Sequence, residues 1–219
     1  MPDINDVKEI AKNLLADNKW LWERTLRIAA NAEIISQTDE VNRSNIPTER
    51  FSLLAAAYFC DTGFIRFTAN DKAKDITLSE VNVTDLRKFS ASIAAQELDE
   101  TAAAGKIEKI SNIITASSTK KTTITEAKIL SDARGLEDMG AVGIYNEFRK
   151  NVIKGQDIGD ALISWNKKIE YGYWESRLSG SFNYTTVAEI AKRRFKAAEI
   201  FMNQLATEKR NRDVKELLL

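Results

Sequence analysis

Apolar residues recur along this chain at the spacing of helices rather than of strands. Ile4, Val7, Ile10, Ala11, Leu14 and Leu15 keep the i, i+3, i+4 pattern of one helix face, with Asp3 placed to cap it. A second helix is expected from about Asn18 to Gln37, where Trp22, Leu26, Ala30 and Ile34 stand four apart. Asn45-Ile46-Pro47-Thr48-Glu49 reads as a helix start with Pro47 in the first turn. Phe51 to Cys60 is nearly all apolar, as a helix buried on most sides requires. Asp61-Thr62-Gly63 ends that helix, and the polar stretch from Thr68 to about Asn82, with Asn70-Asp71-Lys72, reads as a surface loop.

Thr84 opens another helix, with Leu86, Phe89, Ile93, Ala94 and Leu98 on its inner face. Gly105 separates it from a helix carrying Ile107, Ile110, Ile113 and Ile114. The polar run from Ser117 to Thr123 leads into Glu126–Asp132. A last long helix opens with the capping-box pattern Thr186-x-x-Glu189 and carries Ile190, Phe195, Ala198, Phe201, Met202 and Leu205. No run alternates with period two, and no repeat or low-complexity linker marks a boundary. The expectation is a single all-α domain over 1–219, with a core of about 18–150 and a C-terminal helical extension of about 155–212.

Composition narrows the chemistry. The 219 residues suffice for one sizeable core, and 32 Lys+Arg against 32 Asp+Glu argue against a nucleic-acid surface or a polybasic membrane patch. The basic Lys192-Arg193-Arg194 and Lys209-Arg210 interleave with Glu189, Glu199 and Glu208 and read as solvated helix faces. A single Cys60 excludes an intramolecular disulfide and any Cys-rich zinc site. There is no histidine, which removes Ser–His and Cys–His nucleophile pairs, an imidazole base and every His-ligated metal. The polar, acidic residues 1–6 lack the features of a signal peptide, and no apolar run is long enough to span a membrane. A soluble, cytoplasmic protein is expected, in which the glycosylation-like sequons at Asn42, Asn82 and Asn183 are chance matches.

Against this background the segment Glu126 to Ile144, EAKILSDARGLEDMGAVGI, closely resembles a signature of HD-domain metal-dependent phosphohydrolases, roughly E-A-x-I-L-x-D-A-D-x-L-D-x-I-G-A-x-G-I. Leu54 to Phe64 is similar to that family's A-x-L-L-H-D-I-G-Y, and Ser90 to Leu98 to its next helix. The order and spacing of the three segments fit, and Phe182 to Glu208 resembles the family's C-terminal helical region. The resemblance implies an HD-domain-like helical bundle.

It also implies a site with its imidazoles replaced. By this likeness the first ligand histidine falls at or near Trp22, ahead of Leu26. The His-Asp pair is Cys60-Asp61, a further histidine falls near Leu86, and another near Ser117 or Ser118. The last carboxylate ligand is retained as Asp132. Two carboxylates suit at most a weak, water-rich Mg²⁺ or Ca²⁺. Each position also has a structural reading: Asp61 bonding at its turn, Asp132 bonding backbone amides, and Cys60 and Trp22 as core.

The relic pocket of Trp22, Cys60, Asp61, Leu86, Ser117, Ser118 and Asp132 therefore implies a catalytically inactive, cofactor-free protein that acts by binding. Its partner would be another protein or a small molecule, and apolar lining favours an uncharged or partly apolar ligand. The alternative is a phosphohydrolase with Mg²⁺ on Asp61 and Asp132, helped by Glu126 or Ser118.

Overall fold

The computed structural model describes residues 3–43, 47–69, 76–119 and 121–218, and among them every regular element is helical. In chain order these are α1 Ile4–Leu14, α2 Lys19–Ser36, α3 Asp39–Asn42, α4 Arg50–Phe59, α5 Phe64–Thr68, α6 Val83–Glu97 and α7 Ala104–Ala116. There follow α8 Thr125–Glu137, α9 Gly140–Ile153, α10 Ile158–Glu170, α11 Tyr173–Gly180, α12 Thr185–Lys209 and α13 Arg212–Leu218. A 3-10 turn, Leu78–Glu80, precedes α6. The helices form two compact units, Met1–Glu137 and Asp138–Leu219.

In the first unit α4 is central, packed by α1, α2, α6, α7 and α8. Its sequence explains the position: Leu53 to Ala57 and Phe59 are all buried, and three successive alanines let neighbouring backbones come close. The Asp3 cap is as the sequence implies, and Asn18, expected as about the first residue of the second helix, is its N-cap. Asp3 accepts the Asn5 amide at 3.1 Å, and Asn18 accepts the Leu21 amide at 3.1 Å. Asn82 is a third N-cap, accepting from Thr84 and Asp85, which gives that sequon residue a structural task.

Four local expectations are corrected. The buried face of α2 is Leu21, Arg24, Thr25, Ile28, Ala29, Ala32 and Ile35, whereas Ile34 is 65 % exposed. A purely apolar count follows the stripe of Trp22, Leu26, Ala30 and Ile34 because it passes over two buried polar residues. Helix α4 begins at Arg50 with Glu49 as N-cap, three residues later than a first-turn Pro47 would place it. Gly105 lies inside the first turn of α7. Helix α12 starts at Thr185 with Tyr184 as N-cap, so Thr186 lies inside the first turn rather than capping it, and Glu189 pairs forward with Lys192 at 2.7 Å. Asn45, Ile46, Lys120 and the Asn70-Asp71-Lys72 loop fall outside the described residues.

The turn from α4 into α5 lies against α6 at a glycine. A Cβ on Gly63 would sit 2.5 Å from the Leu86 carbonyl oxygen and 2.7 Å from the Ser90 nitrogen, both backbone atoms. Only a residue without a side chain allows that approach.

In the second unit α9 packs on α12, and α10 on α9, α11 and α12. The rings of Trp165, Trp174 and Phe195 form its aromatic centre, with centroids 5.4 to 6.0 Å apart. Gly140 starts α9 at φ +73°, where a Cβ would meet that of Arg194 at 2.8 Å. Among the described residues no helix is long and apolar enough to cross a membrane.

Candidate functional site: a carboxylate held by three arginines

Four helices of the first unit converge on the turn that follows α4. Asp61 sits there with no exposed surface. Arg24 of α2 donates Nε–H to its Oδ2 at 3.0 Å, and Arg87 of α6 donates through Nη1 to its Oδ1 at 2.7 Å. Arg134 of α8 brings its Nε to 3.9 Å from Oδ1, an ion-pair distance beyond hydrogen-bond reach. Arg87 Nη1 also donates to the Cys60 carbonyl, which accepts a second bond from Ser90 Oγ at 2.9 Å. Ser90 Oγ in turn accepts the Gly63 amide at 2.9 Å, so the turn is tied to α6 by side chain and backbone together.

The electrostatics follow from burial and from those cations. Burial alone would raise the Asp61 carboxyl, but Arg87, Arg24 and Arg134 outweigh it and hold the group well below the usual carboxylate range. Burial, then the neighbouring Asp61, push the Cys60 thiol up to about 11, so it stays protonated and unreactive at neutral pH. Burial and the neighbouring Arg87 pull Arg134 down to about 10 against the opposing pull of Asp61.

The residues singled out in the sequence are only partly brought together. Cys60 and Asp61 are at the cluster. Trp22 stacks on Tyr58 at 6.4 Å and shares one apolar group with Leu86, Leu21 and Phe64. What meets Asp61 from α2 and α6 is instead Arg24, two residues after Trp22, and Arg87, next to Leu86. Ser117 and Ser118 both turn back on the end of α7, donating to the carbonyls of Ile114 at 2.7 Å and Thr115 at 2.9 Å. Asp132 is fully buried on α8. Glu126 is engaged elsewhere: it accepts the Glu49 amide at 3.0 Å and pairs with Lys109 at 2.9 Å.

The expected aromatic and apolar lining at Asp61 is thus corrected to a cationic one. The three arginines were missed because an apolar count discards charged residues. Signals did exist. Arg24 lies on the stripe through Leu21 and Ile28, Arg87 sits between the inward Leu86 and Ser90, and Arg134 stands where the D-A-D signature has its second acid.

The donor set does not fit a divalent cation. Both Asp61 oxygens are already bound by guanidinium groups, and three positive charges would repel a fourth. Among the described residues no three His, Cys, Asp or Glu side chains group as metal ligands.

Comparison with solved structures identifies the architecture. YpgQ of Bacillus subtilis superposes with a TM-score of 0.63 at 18 % identity, over 94 % of each chain. The same protein in complex with ADP matches at 20 % identity and a TM-score of 0.63, again over 94 % of each chain. An HD-superfamily hydrolase of Bacillus thuringiensis matches at 20 % identity and a TM-score of 0.62, over 94 % of this chain and 96 % of that one. The fold is therefore that of the HD-superfamily hydrolases, an all-α helical bundle. No family model and no curated protein matches the sequence.

Proposed function

We propose that this chain is an HD-fold protein without metallohydrolase chemistry, acting by binding a small molecule or a protein partner. One observation carries the reading: three guanidinium groups surround Asp61, the carboxylate that by family resemblance would hold a metal. Metal-assisted hydrolysis needs a cation with open coordination positions to activate water. Here the cations are side chains that supply no coordination positions, and a guanidinium near neutral pH is no general base. The alternative, Mg²⁺ on Asp61 and Asp132, would place a divalent cation on a carboxylate whose two oxygens already bond Arg24 and Arg87 and which three positive charges face, and Glu126 and Ser118 are bonded elsewhere. ADP in the YpgQ complex supports a small-molecule ligand as one form of the binding role.

The test is elemental analysis of the purified protein, together with phosphatase, phosphodiesterase and nucleotide-hydrolysis assays in Mg²⁺ and Mn²⁺. Substoichiometric metal and no turnover above the buffer rate are expected. Stoichiometric transition metal, with hydrolysis abolished by Asp61→Asn, would overturn the proposal.

A further inference from the structure

A pocket opens in the second unit among α9, α10 and α12. Ile144 and Phe148 of α9, Trp165 of α10 and Met202 of α12 give it apolar walls. It offers about 20 Å³ to the centre of a water-sized sphere, and about 280 Å³ of empty space when its open mouth is counted. Widened by the sphere's own radius, the smaller figure is room on the order of 100 Å³, enough for one six-membered ring and too little for a nucleotide. Aromatic side chains and the Met202 thioether are favourable neighbours for such a ring.

One wall is polar. Asn151, in the last turn of α9, is 6 % exposed, and its carboxamide has no hydrogen-bond partner among the described residues. Its backbone is fixed, because the Asn151 carbonyl accepts the Lys154 amide at 3.1 Å and the Gln156 amide at 2.8 Å. The side chain thus brings an N–H donor and an oxygen acceptor to the pocket from a rigid base. A buried polar group without a partner calls for one, and this one fits a group that donates and accepts side by side. The nearby charges are already engaged. Glu147 and Lys168 line the pocket but pair with each other at 2.8 Å, and the Lys168 ammonium lies 5.6 Å from the ring centres of Tyr173 and Trp174.

We propose that this pocket binds an uncharged, planar ring carrying a carboxamide or lactam, with the ring against Trp165 and Met202 and the amide paired to Asn151. The amide edge of such a ligand meets the Asn151 carboxamide donor to acceptor and acceptor to donor. With Glu147 and Lys168 neutralising one another, a charged ligand would lose its hydration on entry and find no free counter-charge. All of the lining lies in the second unit, so this inference does not rest on the reading of Asp61.

The experiment is a heteronuclear NMR titration of the full chain at neutral pH with benzamide, benzoate and benzene, on the wild type, Asn151→Leu and Ser164→Leu. Benzamide is expected to bind saturably with about millimolar affinity, to shift resonances around the pocket, and to bind about tenfold more tightly than benzoate or benzene. Asn151→Leu puts an apolar group of similar size in place of the amide. It should bring benzamide down to the level of benzene, about a tenfold loss, with benzene no weaker than in wild type. Ser164→Leu, which fills the pocket from its half-buried edge, should abolish binding of both. Should Asn151→Leu fail to fold, Ser164→Leu and the benzamide-to-benzene ratio of the wild type decide alone. No saturable binding to folded wild type, benzoate as tight as benzamide, an unchanged benzamide affinity in Asn151→Leu, or binding that survives Ser164→Leu would each overturn the inference. None of these results bears on whether Asp61 holds a metal, so the non-hydrolytic reading stands or falls by its own test.

Discussion

Replacing Asp61 by Asn keeps the side-chain volume and one acceptor oxygen but removes the charge that Arg24, Arg87 and Arg134 share. Asp61 is wholly buried, and its two hydrogen-bonded partners are 6 % and 1 % exposed, so solvent screening gives little relief. Removing one partner of a buried ion pair costs about 3–5 kcal/mol, because the other charge is left uncompensated. With two close pairs broken at once, Asp61→Asn should lie near the upper end, a large share of the roughly 5–15 kcal/mol that stabilises an ordinary domain. Urea unfolding followed by far-ultraviolet circular dichroism and tryptophan fluorescence measures this directly.

The sign separates the two views of the site. Where carboxylates are gathered to receive a metal, neutralising one relieves repulsion in the metal-free protein and stabilises it. Here the same change should destabilise, and Asp61→Asn combined with Arg87→Met should recover much of the loss by removing both charges. A loss under about 1 kcal/mol, or a gain, would refute the argument that guanidinium groups hold this carboxylate.

Three further expectations follow from the same geometry. Because the folded Asp61 carboxyl titrates below its unfolded value of roughly 3.9, its contribution is complete above that pH and is lost as the pH falls below it. With no histidine in the chain, stability should be flat between about pH 6 and 8 and decline only in acid; an acid limb unchanged in Asp61→Asn would contradict this. The buried Cys60 thiol, held near 11, should resist a thiol-specific disulfide reagent at pH 8 and react as one thiol per chain after denaturation, so native labelling within minutes would contradict its burial. Gly63→Ala should lower stability by about 1–3 kcal/mol in urea unfolding, since the new methyl meets backbone of α6 that cannot rotate away; a midpoint equal to wild type would show that α6 yields.

Much of the helical frame could be read from the chain because it depends on local rules. Asp3 and Asn18 cap where short acceptor side chains precede an apolar period, and α4 is buried because almost all of its residues are apolar. Elements with ambiguous starts were misplaced by a few residues, as at Pro47 and Thr186, where the first turn is chosen by what the flanking side chains meet. The stretch from α9 to α11 is expected to be helical only in general terms, with no individual helix placed. Its aromatic centre joins Trp165 and Trp174 to Phe195, and a contact between residues that far apart has no local signature.

For the site, the sequence by itself determined an exclusion: without histidine, and with one cysteine, imidazole and thiolate metal chemistry is unavailable wherever the chain folds. It also located Cys60-Asp61 at the end of a buried helix. Only the tertiary structure decided what replaced the missing groups. Arg24, Arg87 and Arg134 are 63 and 47 positions apart along the chain, and each alone reads as an ordinary charged residue on an amphipathic helix. Their common target appears once α2, α6 and α8 pack around α4, because a buried charge is tolerated only where packing delivers its counter-charge.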